Sequence, residues 1–215
     1  MKEIDKFVLR KEETYGRNVF GINNKGVVIG RVVDEPEISC VKGFKGERLY
    51  KTRLEVGRKN SSKKDYIPVV IPEKQMKDVV ENSHIEVLGE FRAYMRDERK
   101  YTFLYAKKVN TECKESETNR IYLDGYICNK PYCKEINGSK IVSFCLAVHR
   151  QYYDKTDYVQ CIAWKEKADW ILKQSVGQKI SIYGRVRNRE FPKIVGKDTE
   201  FIKVYEVSAI TLKTL

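Results

Sequence analysis

The sequence predicts an all-β chain of two tandem five-stranded Greek-key barrels, each with a short helix between its third and fourth strands. Three observations predict it. The chain repeats itself at a nearly constant offset. Each copy carries strand-like runs rich in Val, Ile and Tyr, often alternating with polar residues. In each copy a stretch with helical spacing of apolar residues follows the third run.

The repeat is read first. NKGVVIGRVVDEPE (24–37) matches NRIYLDGYICNKPY (119–132), with Gly30 on Gly125 and Pro36 on Pro131, an offset of 95. LEVGR (54–58) matches LAVHR (146–150), and DYIPVV (65–70) matches DYVQCI (157–162), both at 92. VLGEFR (87–92) then matches IYGRVR (182–187), again at 95. Five anchors in one order define two copies of one domain, and the three-residue changes of offset fall in loops. The domains are placed at 23–110 and 119–215, joined by the polar linker 111–118. Residues 1–22 form an N-terminal extension whose apolar patch, Asn18 to Ile22, is given a packing role as an interface segment.

Within the copies, runs 25–33, 49–58 and 65–71 predict three strands, and 120–128, 140–150 and 157–164 predict their mates. In the second copy Ala168, Ile171, Leu172 and Val176 predict a helix over about 165–175, which Gly177 ends. In the first, Pro72 precedes KQMKDVVENS, with Met76, Val79 and Val80 on one face, and a proline suits a helix start. A strand, a charged hairpin and a last strand close each copy. This order is that of the OB-fold.

Of 215 residues, 42 are Lys or Arg and 30 Asp or Glu, a formal net charge of +12. That excess favours a polyanionic partner, nucleic acid before an anionic membrane surface. No apolar run approaches the roughly 20 residues that cross a bilayer, and the charged start has no signal-peptide core, so a cytoplasmic protein is expected. The six cysteines form no CxxC pair and there are only two histidines, so zinc is not expected. Cys145 and Cys161 lie in apolar runs and read as reduced core residues. The sequence has no GxxxxGK[ST], no HExxH and no paired acidic motif, so no enzyme activity and no cofactor are expected. Asp65 and Asp157 read as strand-start residues.

NRIYLDGYICNKPY, SFCLAVHRQYYDKTDYVQCIAW and VGQKISIYGRVRNREF together resemble the DNA-binding domain of bacterial single-stranded-DNA-binding proteins, across nearly all of 119–212. The first copy resembles it more faintly, and two such domains in one chain resemble the tandem-barrel members of that family. The resemblance implies sequence-tolerant binding and protection of single-stranded DNA in replication, recombination or repair. It also implies a homodimer that brings four barrels together. It puts DNA-facing aromatic residues at Tyr152, Tyr158, Trp164 and Phe191.

Parity within strands supports this reading independently. Tyr158, Gln160, Ile162 and Trp164 share one face of their strand, while Val159, Cys161 and Ala163 share the other. Arg185, Arg187, Arg189 and Phe191 likewise share a face, with Lys193 beyond, and Arg150 lies at the end of its run. Cations that follow phosphates and rings that stack on bases make such a groove. In the first copy Tyr152 maps to Asn60, Trp164 to Pro72 and Phe191 to about Arg96; only Tyr158 finds a ring, Tyr66. That copy is expected to bind more weakly, through Tyr66, Arg58, Lys59, Tyr94 and Arg96, or to serve mainly in assembly. The chain ends SAITLKTL, without the acidic tip by which such proteins recruit repair enzymes. Two alternatives accompany this reading: an accessory OB-fold protein of a replication or restart complex that mainly binds a protein partner, and an RNA-binding OB protein.

Overall fold

The computed structural model describes all residues except 1, 43–45, 60, 97–98, 137, 151–153 and 196–197. Its elements run in chain order α1 (Lys2–Tyr15), β1 (Asn24–Val32), β2 (Glu37–Lys42), β3 (Glu47–Gly57), β4 (Lys64–Pro72), β5 (His84–Arg96) and β6 (Arg99–Asn110). The second copy follows with β7 (Thr118–Ile127), β8 (Tyr132–Ile136), β9 (Ser139–His149), β10 (Thr156–Trp164), α2 (Glu166–Leu172), β11 (Lys179–Val195) and β12 (Asp198–Thr214).

The strands pair in the order β2-β3-β4-β6-β5-β1-β7-β11-β12-β10-β9-β8, with additional pairings β3–β1 and β7–β9 that close a ring in each copy. The repeated glycine explains itself at this closure. A Cβ on Gly30 would lie 2.4 Å from the Glu55 carbonyl oxygen, and one on Gly125 2.5 Å from that of Ala147. Only glycine lets the first strand of each copy approach the third this closely. Alternation fills the interiors: Val159, Cys161 and Ala163 are fully buried, with Leu146, Phe144 and Val142 across from them on β9.

The two copies share one sheet through β1 and β7, which run antiparallel. Asn24 faces Leu123 and Val28 faces Asn119. A shift of 95 turns either pair into the other, so the copies are related by a pseudo-two-fold axis at the pair Gly26–Ile121.

Two expectations fail in particular ways. The helix expected after β4 is only a 3-10 turn, Glu73–Gln75. Asp78 and Asn82 take left-handed backbone conformations (φ 59° and 68°) that interrupt helical winding. Val79 is buried, but Val80 is exposed instead of sharing its face. Second, Cys145 is half-buried on the outer face of β9, opposite in parity to the core; Cys161 alone of the two is core. Part of the N-terminal extension packs against its own chain, while Ile22 of the expected patch is exposed. Val19 and Phe20 are buried with Val27, Ile29 and Leu88, and Val8 and Tyr15 of α1 lie over them. The helix is held by Lys11, whose ammonium meets the buried Glu86 carboxylate at 2.5 Å, and by the Tyr15 hydroxyl, which donates to Glu86 at 2.9 Å.

Candidate nucleic-acid interface

On β10 the outward residues are Tyr158, Gln160, Ile162 and Trp164. Tyr158 is 54 % exposed and Trp164 40 %, while Ile162 is covered. Register across the sheet adds neighbours that parity within one strand cannot supply. Ala147 of β9 faces both Tyr158 and Tyr126 of β7, so two exposed rings flank one small residue. Ser143 faces Ile162 and the exposed Tyr132 of β8, and Ile141 faces Trp164 and Lys134. The Lys134 ammonium lies 5.2 Å from the Tyr132 ring and the Lys179 ammonium 5.8 Å from the Tyr126 ring. Sequence reasoning misses Tyr126 and Tyr132. Their outward parity is visible there, but their nearness to Tyr158 and Trp164 is set by strand register. Between the rings, the Cys128 thiol donates to the Cys145 carbonyl oxygen at 3.3 Å, and burial pushes the Cys145 thiol up to about 12.

The corresponding face of the first copy is ionic. Arg31 and Lys64 both reach Glu55 at 2.9 Å, Arg53 grips Asp34 at 2.5 Å, and Lys51 meets Glu37 at 3.1 Å. The hydrogen bonds from Lys64 and Arg31 hold the Glu55 carboxyl down at about 2. Tyr66, the one ring retained there, is half-buried, and the Arg53 guanidinium stands 6.0 Å from its centroid.

The hairpins connect the two copies reciprocally. Arg58 makes a bidentate pair with the buried Asp65, and Arg150 makes the same pair with the buried Asp157. Asp157 also accepts the backbone N–H of Ala93 on β5, at 2.8 Å. Asp65 accepts that of Asn188 on β11, at 3.3 Å, and the Arg187 guanidinium at 3.4 Å. Ala93 and Asn188 are 95 apart, so each copy grips the other copy's hairpin at one equivalent point. A bidentate guanidinium is what lets a buried carboxylate hold a partner's backbone without leaving a bare charge. Thus Asp65 and Asp157 join the two copies, a role beyond that of strand-start residues.

The expected site residues sort accordingly. Tyr158 and Trp164 share the outer face of the second copy, and Arg150 is engaged beside it with Asp157. Arg58, Arg185 and Arg187 gather with Lys59 at the junction beside Tyr66, whose N–H donates to the Asn188 side chain at 2.9 Å. Arg189 is paired with the buried Glu206 at 2.6 Å, and burial raises that carboxyl while Arg189 opposes the rise. Tyr94, on the first copy's hairpin, stacks on Tyr101 with centroids 5.2 Å apart, and Arg96 follows it on the exposed end of β5. Tyr152 lies outside the described residues. Phe191 and Lys193 belong to β11 by their backbone, facing Ile202 and Glu200, but their side chains lie outside the described set.

Among the described residues no group of three His, Cys, Asp or Glu could hold a metal ion, and no helix is long and apolar enough to cross a membrane. The family model of the single-strand binding protein family matches residues 118–213. No curated protein matches the chain. Two crystal structures of the single-stranded DNA binding protein from Thermus aquaticus share the fold. A deletion mutant has a TM-score of 0.69 at 19% identity, covering 91% of this chain and 95% of that one. The wild type has a TM-score of 0.69 at 18% identity, covering 91% and 93%. The rings that gather on one face thus lie inside the matched segment, and residues 118–213 of this chain are similar to the single-strand binding protein family.

Proposed function

We propose that the chain holds single-stranded DNA without sequence preference, on the outer face of the second copy, and protects it during replication, recombination or repair. One observation carries this reading: four exposed rings, Tyr126, Tyr132, Tyr158 and Trp164, share a face with small residues between them and Lys134 and Lys179 beside them. Bases stack on such rings at about 1–3 kcal/mol each, and lysines at their edge follow the phosphates. Phe191, Tyr152 and Lys193 extend this surface in the proposal, and the domains act as units 23–110 and 119–215. The protein works by occupying the strand, not by catalysis, in the cytoplasm, and as a homodimer of four barrels.

The test is a titration of labelled oligo-dT, oligo-U and duplex DNA of equal length with the wild-type chain and Tyr158→Ala/Trp164→Ala. The expected outcome is tight binding to dT and weak binding to duplex, with the dT affinity reduced about 30-fold or more in the double variant, as the removal of two stacks requires. Equal affinity for duplex and single strand, unmoved by the substitutions, would refute it. Preference for oligo-U would assign the face to RNA.

A further inference from the structure

The junction where the first copy's β3–β4 loop meets β11 is a cleft of about 160 Å³. Arg58, Lys59, Arg120, Arg185 and Arg187 line it, and among the described lining residues Asp65 and Glu117 are the carboxylates. Asp65 is shared between Arg58 and Arg187, and Glu117 accepts the Gly57 N–H at 2.6 Å. Neither Lys59 nor Arg185 has an ion-pair partner among the described residues. Burial lowers the Arg187 pKa; Arg58 and Arg185 lower it further, while Asp65 opposes. The cations here outnumber the acids and crowd one another.

The molecule contains its own control. The pseudo-two-fold axis carries this junction onto the meeting of β10 with β5. There Glu90 stands where Arg185 stands here, Arg92 where Arg187 stands, and Lys25 where Arg120 stands, each 95 residues earlier. Glu90 pairs with Arg92 at 2.7 Å and with Lys107 at 3.4 Å, and Glu12 of α1 pairs with Lys25 at 3.0 Å. Among the described residues the mate junction pairs its cations from within, whereas Lys59 and Arg185 here have no ion-pair partner, although the same backbone and the same Arg–Asp pair build both.

We propose that the cleft lined by Arg58, Lys59, Arg120, Arg185 and Arg187 binds the phosphodiester backbone of a single strand as it passes from one barrel to the other, at this junction and not at its mate. The proposal rests on the reading above and adds a route to it. Guanidinium groups match phosphate oxygens in geometry and stay charged when half-buried. Arg185 and Lys59 supply the unspent charge, while Arg58 and Arg187 remain tied to Asp65 and fix the walls.

The test uses the full chain with two lengths of labelled oligo-dT, about 8 nucleotides, within the site of one barrel, and about 35, long enough for two. The variants are Arg185→Glu, which gives this junction its mate's residue, and Lys59→Ala at an exposed position, with folding checked by circular dichroism. Both are expected to lose less affinity for the short strand than for the long one. On the long strand, affinity falls about tenfold or more for Arg185→Glu. The slope of log affinity against log salt becomes shallower by roughly 0.7 for each phosphate no longer held. Equal reductions at both lengths, or none at either, would overturn the cleft while leaving the aromatic face standing. A wild-type chain that binds neither length would overturn both readings together.

Discussion

The outer faces of the two copies have one backbone plan and opposite surfaces. Where the second copy sets Tyr126, Ala147 and Tyr158 side by side, the first sets Arg31, Glu55 and Tyr66. Where the second has Tyr132, Ser143 and Ile162, the first has Glu37, Lys51 and Val70. Trp164 beside Ile141 becomes Pro72 beside Leu49. The first face is no less charged than a nucleic-acid surface needs, yet its cations are spent on neighbouring carboxylates. A count of Lys and Arg therefore says little about phosphate binding until the acids facing each one are known. Net charge suggests a partner; cross-strand pairing decides which face receives it.

The comparison assumes that the two Arg–Asp pairs hold both faces in equivalent positions, and the largest expected effect tests that. Asp157→Ala removes the bidentate partner of Arg150 and the acceptor of the Ala93 N–H; Asp65→Ala removes the carboxylate that Arg58, Arg187 and the Asn188 N–H share. Each is expected to cost about 3–5 kcal/mol in urea unfolding, the usual result of breaking a buried pair. A large cost at one and none at the other would mean that the junctions are not equivalent. A smaller effect sharpens the contrast of surfaces. Tyr126→Ala is expected to weaken single-strand affinity by about 1–3 kcal/mol, whereas Arg31→Ala, at the same place in the first copy, leaves the affinity unchanged within error. Equal effects would erase the distinction between the faces.

The smallest effect concerns pH. The Glu55 carboxyl is held at about 2, below its ordinary 4.5, by hydrogen bonds from Lys64 and Arg31. A carboxylate depressed on folding stabilises the folded state fully above 4.5, and its contribution is lost as pH falls toward 2. The wild-type melting temperature is expected to fall over that window by more than that of Glu55→Gln. Identical acid profiles would show that the network contributes nothing to the first barrel.

Much of the fold is legible in the sequence because the repeat carries it: offsets of 95 and 92 locate the mates of four strands. What stays hidden depends on tertiary contacts. Helix α1 is so rich in charge that the helical spacing of Ile4, Phe7, Val8 and Tyr15 stands out little, and among its described side chains Val8 and Tyr15 meet the core. The strands β2 and β8 are short and polar, and they persist by pairing with β3 and β9. Of the site, Tyr158 and Trp164 can be placed on one face by parity. Their companions Tyr126 and Tyr132 cannot, because one sequence does not state which residue on the next strand stands opposite. Nor can Asp65 and Asp157 be recognised as joints, since their partners Asn188 and Ala93 belong to the other copy.

The axis between the barrels has a consequence for how such a molecule can be built. Gly26 and Ile121 face each other across it, and they are counterparts in the repeat. A Cβ on Gly26 would come within 2.5 Å of Leu104 and 3.2 Å of Ile121. Two identical chains meeting on this axis would have to place the same residue on both sides, isoleucine against isoleucine or glycine against glycine. Joined in tandem, the halves can divide the space unequally, one giving the side chain and the other the room for it. A duplicate of either half would instead bring two side chains, or none, to this point.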